Sequence, residues 1–153
     1  DDEGDSPTQK TREKCRSIED GFRSLIYDTM KSEYGEEWFE NIPQDVQRNI
    51  NMKVRYSNAL GMIYEKPYDE NILDETSTGE LLQIIDFKRN RNIFRKRLPT
   101  TPDHFKQNFK NFLVLRNQIA HHKPYPSSEF RNACLASVDI LLMWLKKIEE
   151  DTV

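Results

Sequence analysis

The sequence predicts an all-α protein, an up-and-down bundle of four main helices with short extra helices. Apolar residues recur at steps of three and four residues in four long segments. No segment alternates apolar and polar residues as a half-buried strand does. The length of 153 residues suits one domain, which can bury about two-thirds of its unfolded surface. We expect residues 1–9 to be a flexible linker and residues 10–150 to form a single helical domain.

Two main helices are predicted in the first half of the chain. The first begins at Ser6-Pro7 and ends near Gly35, with an apolar stripe of Cys15, Ile18, Phe22, Leu25, Ile26 and Met30. The second has Pro43 in its first turn and runs toward Tyr56 or Leu60, with an apolar stripe of Val46, Ile50 and Val54. Residues 61–78 are predicted to be mostly a connector.

Short helices follow, and then the other two main helices. Ser77-Thr78-Gly79 is a helix-start signal before the apolar residues Leu81, Leu82, Ile84 and Ile85. Another short helix is expected around Ile93 and Phe94. Thr101-Pro102-Asp103 opens a long helix that stops near Pro124, with an apolar stripe of Phe105, Phe109, Phe112, Leu113, Leu115 (or Arg116) and Ile119. Ser127-Ser128-Glu129 starts the last helix, whose wide apolar face comprises Phe130, Cys134, Leu135, Val138, Leu141, Leu142 and Leu145.

Composition places the chain among intracellular proteins without a membrane segment. Cys15 and Cys134 lie far apart inside helical patterns, so we interpret them as small core residues in a reducing compartment. No apolar run approaches the roughly 18 residues that span a bilayer, and no signal-peptide pattern opens the chain. We expect a cytoplasmic protein, or a nuclear one if the source is eukaryotic. Because the chain begins with Asp1 in a linker-like segment, we also expect it to belong to a larger parent chain with further domains.

One short window concentrates positive charge. The whole chain has a formal charge of −3, yet residues 88–97 carry no acid and six cations, namely Lys88, Arg89, Arg91, Arg95, Lys96 and Arg97. One interpretation is an ordinary solvated surface. The other is an RNA-binding surface, because Asn90, Asn92, Ile93 and Phe94 stand between the cations and would allow base stacking beside phosphate contacts.

The segment from Leu115 to Tyr125 carries the residues best suited to chemistry. Arg116 has a charge that it cannot lose, whereas histidines such as His121 and His122 belong to the residue type that exchanges protons near neutral pH. A fixed cation beside proton-transfer groups suits phosphodiester chemistry. The simpler interpretation is that cations at the end of a helix stabilise the negative end of its dipole.

Residues 116–121 resemble the signature of the HEPN superfamily, an arginine and a histidine four to six residues apart with a polar residue after the arginine. Here these are Arg116, His121 and Asn117. The resemblance extends to residues 18–23, 33–39, 42–43 and 109–124, and covers most of the chain from Arg12 to Leu145. These segments look like the HEPN branch found in bacterial defence proteins and at the end of a eukaryotic nuclear PIN-domain endoribonuclease.

What the resemblance implies is a metal-independent endoribonuclease, in which the ribose 2′-OH attacks the adjacent phosphate and leaves a cyclic phosphate. Arg116 would hold the phosphate, His121 would transfer protons, and Asn117 would orient one of them. One histidine cannot conveniently serve both oxygens, so a homodimer would supply the second acid-base group. The chain would then be the effector of a bacterial defence or toxin protein, with RNA as its partner.

Two features depart from a simple match. Arg116 and His121 are five residues apart, about 140° around an ideal helix, so the helix must end or loosen near His121 or the arginine must reach around. The toxin branch has a tyrosine two residues after the histidine, where this chain has Lys123, so chemistry that depends on that tyrosine is not expected. His122 is the alternative to His121 as the acid-base residue. The other polar candidates, His104, Glu19, Asp20 and Glu33, are expected on solvated surfaces. The three acids could instead face the site.

Other classes of site find no support in the sequence. It has no HExxH, no CxxC and no glycine-rich phosphate loop, so we expect neither a metal nor a cofactor. Two non-enzymatic interpretations stay open. One is a non-catalytic HEPN-like module that dimerises or binds RNA or a partner for a larger protein. The other is a purely structural helical adaptor.

Overall fold

A computed structural model of the chain describes residues 7–121 and 127–152. These residues form α-helices joined by 3₁₀ turns and loops, and no strand occurs among them. The α-helices are α1 (Pro7–Tyr34), α2 (Gln44–Ala59), α3 (Thr78–Ile85), α4 (Arg91–Arg95), α5 (Pro102–His121) and α6 (Ser128–Thr152). The all-α class is confirmed, and α1, α2, α5 and α6 are the four predicted main helices.

The chain divides into two compact units. The first combines residues 1–21 with residues 98–153, and the second comprises residues 22–97. Helix α1 begins at Pro7, so residues 7–9 of the predicted linker are already helical. The division into a linker and one domain over residues 10–150 otherwise stays a prediction.

In the first unit, α5 and α6 form an antiparallel hairpin and the beginning of α1 packs beside them. Asn108 of α5 bonds to Ser137 of α6, while Phe105 lies against Trp144 further along α6. The start of α1 runs parallel to α6, since Lys14 pairs with Asp139 at 3.0 Å and Gly21 lies against Leu145. A Cβ at Gly21 would stand 2.7 Å from Leu145 Cδ1, so a larger residue here would require the Leu145 side chain to shift. The three segments therefore alternate up and down.

The predicted starts of α5 and α6 are confirmed by side-chain caps. Thr101 Oγ1 accepts a hydrogen bond from the backbone N–H of His104 at 3.2 Å, and Ser127 Oγ accepts one from that of Phe130 at 3.0 Å. The buried face of α6 extends beyond the predicted one, because Trp144 and Ile148 are also buried.

The second unit is held together around a fully buried tryptophan. Trp38 lies in a 3₁₀ helix, Gly35–Asn41, and its indole N–H donates to the backbone carbonyl of Tyr68 at 3.1 Å. Arg23 donates to the carbonyls of Leu73 and Thr76 at 2.9 and 3.0 Å. The predicted end of α1 is confirmed, since Gly35 adopts a φ of +62° directly after the helix.

The segment predicted as a connector is more structured than expected. Residues Glu70–Glu75 form a 3₁₀ helix in which Ile72 and Leu73 are completely buried. Six residues are too few to show a helical repeat, so the apolar pair gave no periodic signal. The start of α3 is as predicted: Ser77 Oγ accepts from the N–H of Glu80, and the Glu80 carboxylate accepts from the N–H of Ser77 at 2.8 Å.

Helix α2 and the loop after it carry a group of exposed apolar side chains. These are Met52, Tyr56, Leu60, Met62 and Ile63, each more than half exposed. No described helix is long and apolar enough to cross a bilayer.

Candidate functional site

Arg116 lies on the side of α5 that faces the beginning of α1. Its Nε atom is 3.8 Å from Oε1 of Glu19, and the exposed fractions of the two side chains are 37% and 15%. The interpretation of Glu19 as a solvated residue is therefore wrong, because α1 packs against α5 here and covers the carboxylate. Asp20 and Glu33 are exposed, as expected. A carboxylate that is mostly covered fixes the orientation of Arg116 more firmly than an exposed one, since solvent screens it less.

A cleft of about 270 Å³ opens between α1 and α5 at this ion pair. Arg12, Arg16 and Arg116 line it, together with Glu19, the thiol of Cys15 and the side chain of Ile119. Arg12 and Arg16 are exposed and stand one helical turn apart on α1. Sequence reasoning missed both arginines. The signal that could have found them is their spacing of four residues from each other, with the buried Cys15 between them.

Burial and the neighbouring charges of this cleft both affect the pKa of the Cys15 thiol. Burial first, and the nearby carboxylate of Glu19 second, raise the pKa of Cys15 from 9.0 to about 11, while the charge of Arg116 lowers it. The thiol is therefore protonated at neutral pH and is not an activated nucleophile. The interpretation of Cys15 and Cys134 as buried core residues is confirmed.

Asn117 and His121 lie on a different side of α5 from Arg116. Both are exposed, and they are one turn apart on the same face. Helix α5 is regular through His121, so it does not loosen before the predicted catalytic histidine. His121 is not part of the cleft lining. The structure thus pairs Arg116 with Glu19 in the cleft lining, while Asn117 and His121 share an exposed face of α5 that is not part of that lining.

Several predicted features fall outside the described residues. They are the alternative acid-base residue His122, the departure at Lys123 and the helix-ending Pro124. The remaining histidine, His104, is exposed in the first turn of α5, as expected, with its ring against Trp144.

The basic window folds into the short helix that was expected, although its details differ. A 3₁₀ turn, Lys88–Asn90, leads into α4, and the cations are exposed except for Arg97, which is partly covered. Arg91 donates to the backbone carbonyl of Asp86 at 3.1 Å and lies 3.5 Å from its carboxylate. The guanidinium of Arg89 lies 5.5 Å from the ring centroid of Phe87. The side chains of Lys88, Arg95 and Lys96 are exposed to solvent as well.

The expectation that Asn90 and Phe94 would meet RNA bases is wrong. Both are buried, and the amide of Asn90 accepts from the hydroxyl of Tyr34 and donates to the backbone carbonyl of Asn41, each at 2.6 Å. These residues attach the basic window to the rest of the second unit. Asn92 is exposed and Ile93 is half-buried, so only these two of the interleaved residues stay accessible.

Comparison with known proteins leaves the family open. No family model, curated protein or solved structure matches the chain. The HEPN assignment stays a prediction that rests on the sequence segments named above. Among the residues that the structure describes, no group of three or more His, Cys, Asp or Glu side chains is placed to hold a metal ion.

Proposed function

We propose that the chain is a HEPN-type endoribonuclease that cuts RNA without a metal ion by attack of the ribose 2′-OH on the adjacent phosphate. Arg116 binds the phosphate, His121 transfers protons and Asn117 orients a proton. The observation that supports this proposal is the position of Arg116, a permanent cation held by Glu19 at an open cleft with two further arginines. The cleft has the charge that the transition-state phosphate requires.

The separation of Arg116 and His121 around α5 makes a dimer part of the proposal. Arg116 lines the cleft, whereas His121 is exposed and is not among the lining residues. A two-fold partner that places its own α5 end beside the first would bring acid-base groups from both protomers to one phosphate. The parent protein would then use RNA cleavage in bacterial defence or as a toxin.

The test is cleavage of an end-labelled single-stranded RNA in the presence of EDTA. We expect products with 2′,3′-cyclic phosphate ends, and a strict requirement for a divalent metal would contradict the mechanism. His121→Ala should abolish cleavage, whereas the matched control His104→Ala should retain it. His122→Ala should also retain most activity, and equal loss in the His121 and His122 variants would refute the assignment. Because His121 is exposed, its replacement should change the free energy of unfolding by at most about 0.5 kcal/mol.

The dimer can be tested by sedimentation and by mixing an inactive variant with the wild-type chain. His121→Ala should lower the activity of the mixture by more than its share of the chains, because a mixed dimer holds only one of the two His121 side chains that the proposed site requires. A chain that cleaves RNA while it sediments only as a monomer at high micromolar concentration would separate catalysis from dimerisation.

One observation favours the non-catalytic alternative. Arg116 is already paired with a carboxylate, and His121 is not among the residues that line its cleft, so the cleft could bind a phosphate without an acid-base group beside it. In that case the wild-type chain would bind single-stranded RNA in a salt-dependent manner and leave it intact under every condition above.

A further inference from the structure

The cleft between α1 and α5 carries more positive charge than one phosphate requires. Three guanidinium groups and a single carboxylate line it, although the whole chain has a charge of −3. The carboxylate of Glu19 lies beside Arg116, so the other two cations, Arg12 and Arg16, give the cleft its excess positive charge. A concave surface lined by one sign of charge focuses the potential and attracts the opposite charge.

The spacing of Arg12 and Arg16 indicates what kind of anion fits. They stand one turn apart on α1, a rise of about 6 Å along the helix axis, and both side chains are exposed. Like charges at this spacing destabilise a helix, so an anion that bridges the two would relieve their repulsion. A chain of phosphates presents negative charges in a row, whereas a single small anion presents only one.

The rest of the lining suits the uncharged parts of a nucleic acid. Cys15 is a buried, protonated thiol in the lining, and Ile119 adds an apolar side chain from α5. Apolar groups beside cations are the arrangement that single-strand binding surfaces use for sugars and bases beside the phosphates. Arginine also offers a planar pair of N–H donors that matches two oxygens of one phosphate.

We propose that Arg12 and Arg16 form a phosphate subsite for single-stranded RNA, which binds phosphates that flank the scissile phosphate on Arg116. The subsite rests on the proposed function for its place in the reaction, but its capacity to bind a strand is independent of cleavage. It lies wholly on α1 and α5 of the first unit. It does not involve the basic window.

Binding is tested with a fluorescently labelled single-stranded 2′-deoxy decamer, which has no 2′-OH and cannot be cut by the proposed chemistry. The double variant Arg12→Gln/Arg16→Gln should weaken binding about tenfold and reduce the slope of log K against log salt by about 1.4. Its matched control is Lys10→Gln/Lys110→Gln, which removes two exposed cations of the same unit outside the cleft lining. The control should change the affinity by less than about twofold. Arg12→Lys/Arg16→Lys should restore the salt slope.

Two results would overturn the subsite. One is a Kd for the arginine double variant within twofold of that of the lysine control. The other is failure of the wild-type chain to bind the decamer at about 50 mM salt, where phosphate contacts are strongest. Helix content measured by circular dichroism should be the same in all variants, because the four replaced side chains are exposed.

Cleavage assays separate this inference from the proposed function. For an RNA decamer, kcat/KM of Arg12→Gln/Arg16→Gln should fall about tenfold, whereas for a dinucleotide with a single phosphodiester it should stay within about twofold of wild type. If the variant had the same kcat/KM as wild type for the decamer and also for the dinucleotide, the subsite would be refuted and the nuclease proposal would stand. A wild-type chain that cuts neither substrate but shows the binding differences above would refute the nuclease and retain the subsite.

Discussion

Replacement of Ser137 by alanine tests the packing of α5 against α6. The Ser137 side chain is almost completely buried, with 2% of its surface exposed. Its hydroxyl donates to Oδ1 of Asn108 at 2.9 Å and accepts from Nδ2 of Asn111 at 3.0 Å. Asn108 is buried as well. Alanine would remove both hydrogen bonds and leave the Asn108 carbonyl without this donor.

The expected cost follows from these contacts. Loss of the hydrogen bond from the half-buried Asn111 costs about 1 kcal/mol, and leaving the buried acceptor of Asn108 without its donor costs about 1–3 kcal/mol. The better helix propensity of alanine offsets up to about 0.5 kcal/mol. We therefore expect Ser137→Ala to lower the free energy of unfolding by about 2 kcal/mol, which corresponds to a fall in Tm of roughly 4–8 °C for a chain of this length.

Urea denaturation followed by circular dichroism measures this change, with Ser17→Ala as the control. Ser17 is exposed on α1, so the same replacement there should shift stability by at most about 0.5 kcal/mol. A loss below 0.5 kcal/mol for Ser137→Ala would show that this buried network does not stabilise the hairpin. An equal loss in the two variants would show that the burial of Ser137 does not determine the effect.

Three further predictions concern other parts of the chain. Asn90→Ala should lower the free energy of unfolding by about 3 kcal/mol in urea denaturation, because its two buried hydrogen bonds have no replacement, and a loss under 1 kcal/mol would contradict this. In a pH titration of the thiol, Glu19→Gln should lower the pKa of Cys15 below about 11 and Arg116→Gln should raise it, and shifts of the opposite sign would exclude the arrangement seen here. Since this pKa lies above the value of 9.0 for an ordinary thiol, the stability associated with Cys15 is present below pH 9 and is lost as the pH rises toward 11. Replacement of Arg91, Arg95 and Arg97 of the basic window by glutamine should reduce the slope of log K against log salt for RNA binding by about 2, without loss of helix content. An unchanged slope would identify the window as an ordinary solvated surface.

The sequence alone determined the helices and most of their ends. Thr101 and Ser127 cap α5 and α6 as predicted, and Gly35 ends α1. These features depend on the backbone and on side chains within about one turn, so they can be inferred from local spacing. The buried stripes follow for the same reason, because residues three and four apart share a face of a helix.

Only the tertiary structure decided which polar residues meet. Glu19 and Arg116 are far apart in sequence, and their ion pair exists because α1 packs against α5. The burial of Asn90 likewise depends on distant partners, since its amide bonds to groups from two earlier segments of the chain.

The placement of the predicted site shows the same limit. Spacing correctly indicated that Asn117 and His121 share a face and that Arg116 does not. It could not show that this other face opens into a cleft with Arg12 and Arg16, because a charged side chain in a helix looks the same in sequence whether it faces solvent or a neighbouring helix. Local periodicity fixes the direction of a side chain from its own helix axis, and the packing of other helices determines what it meets there.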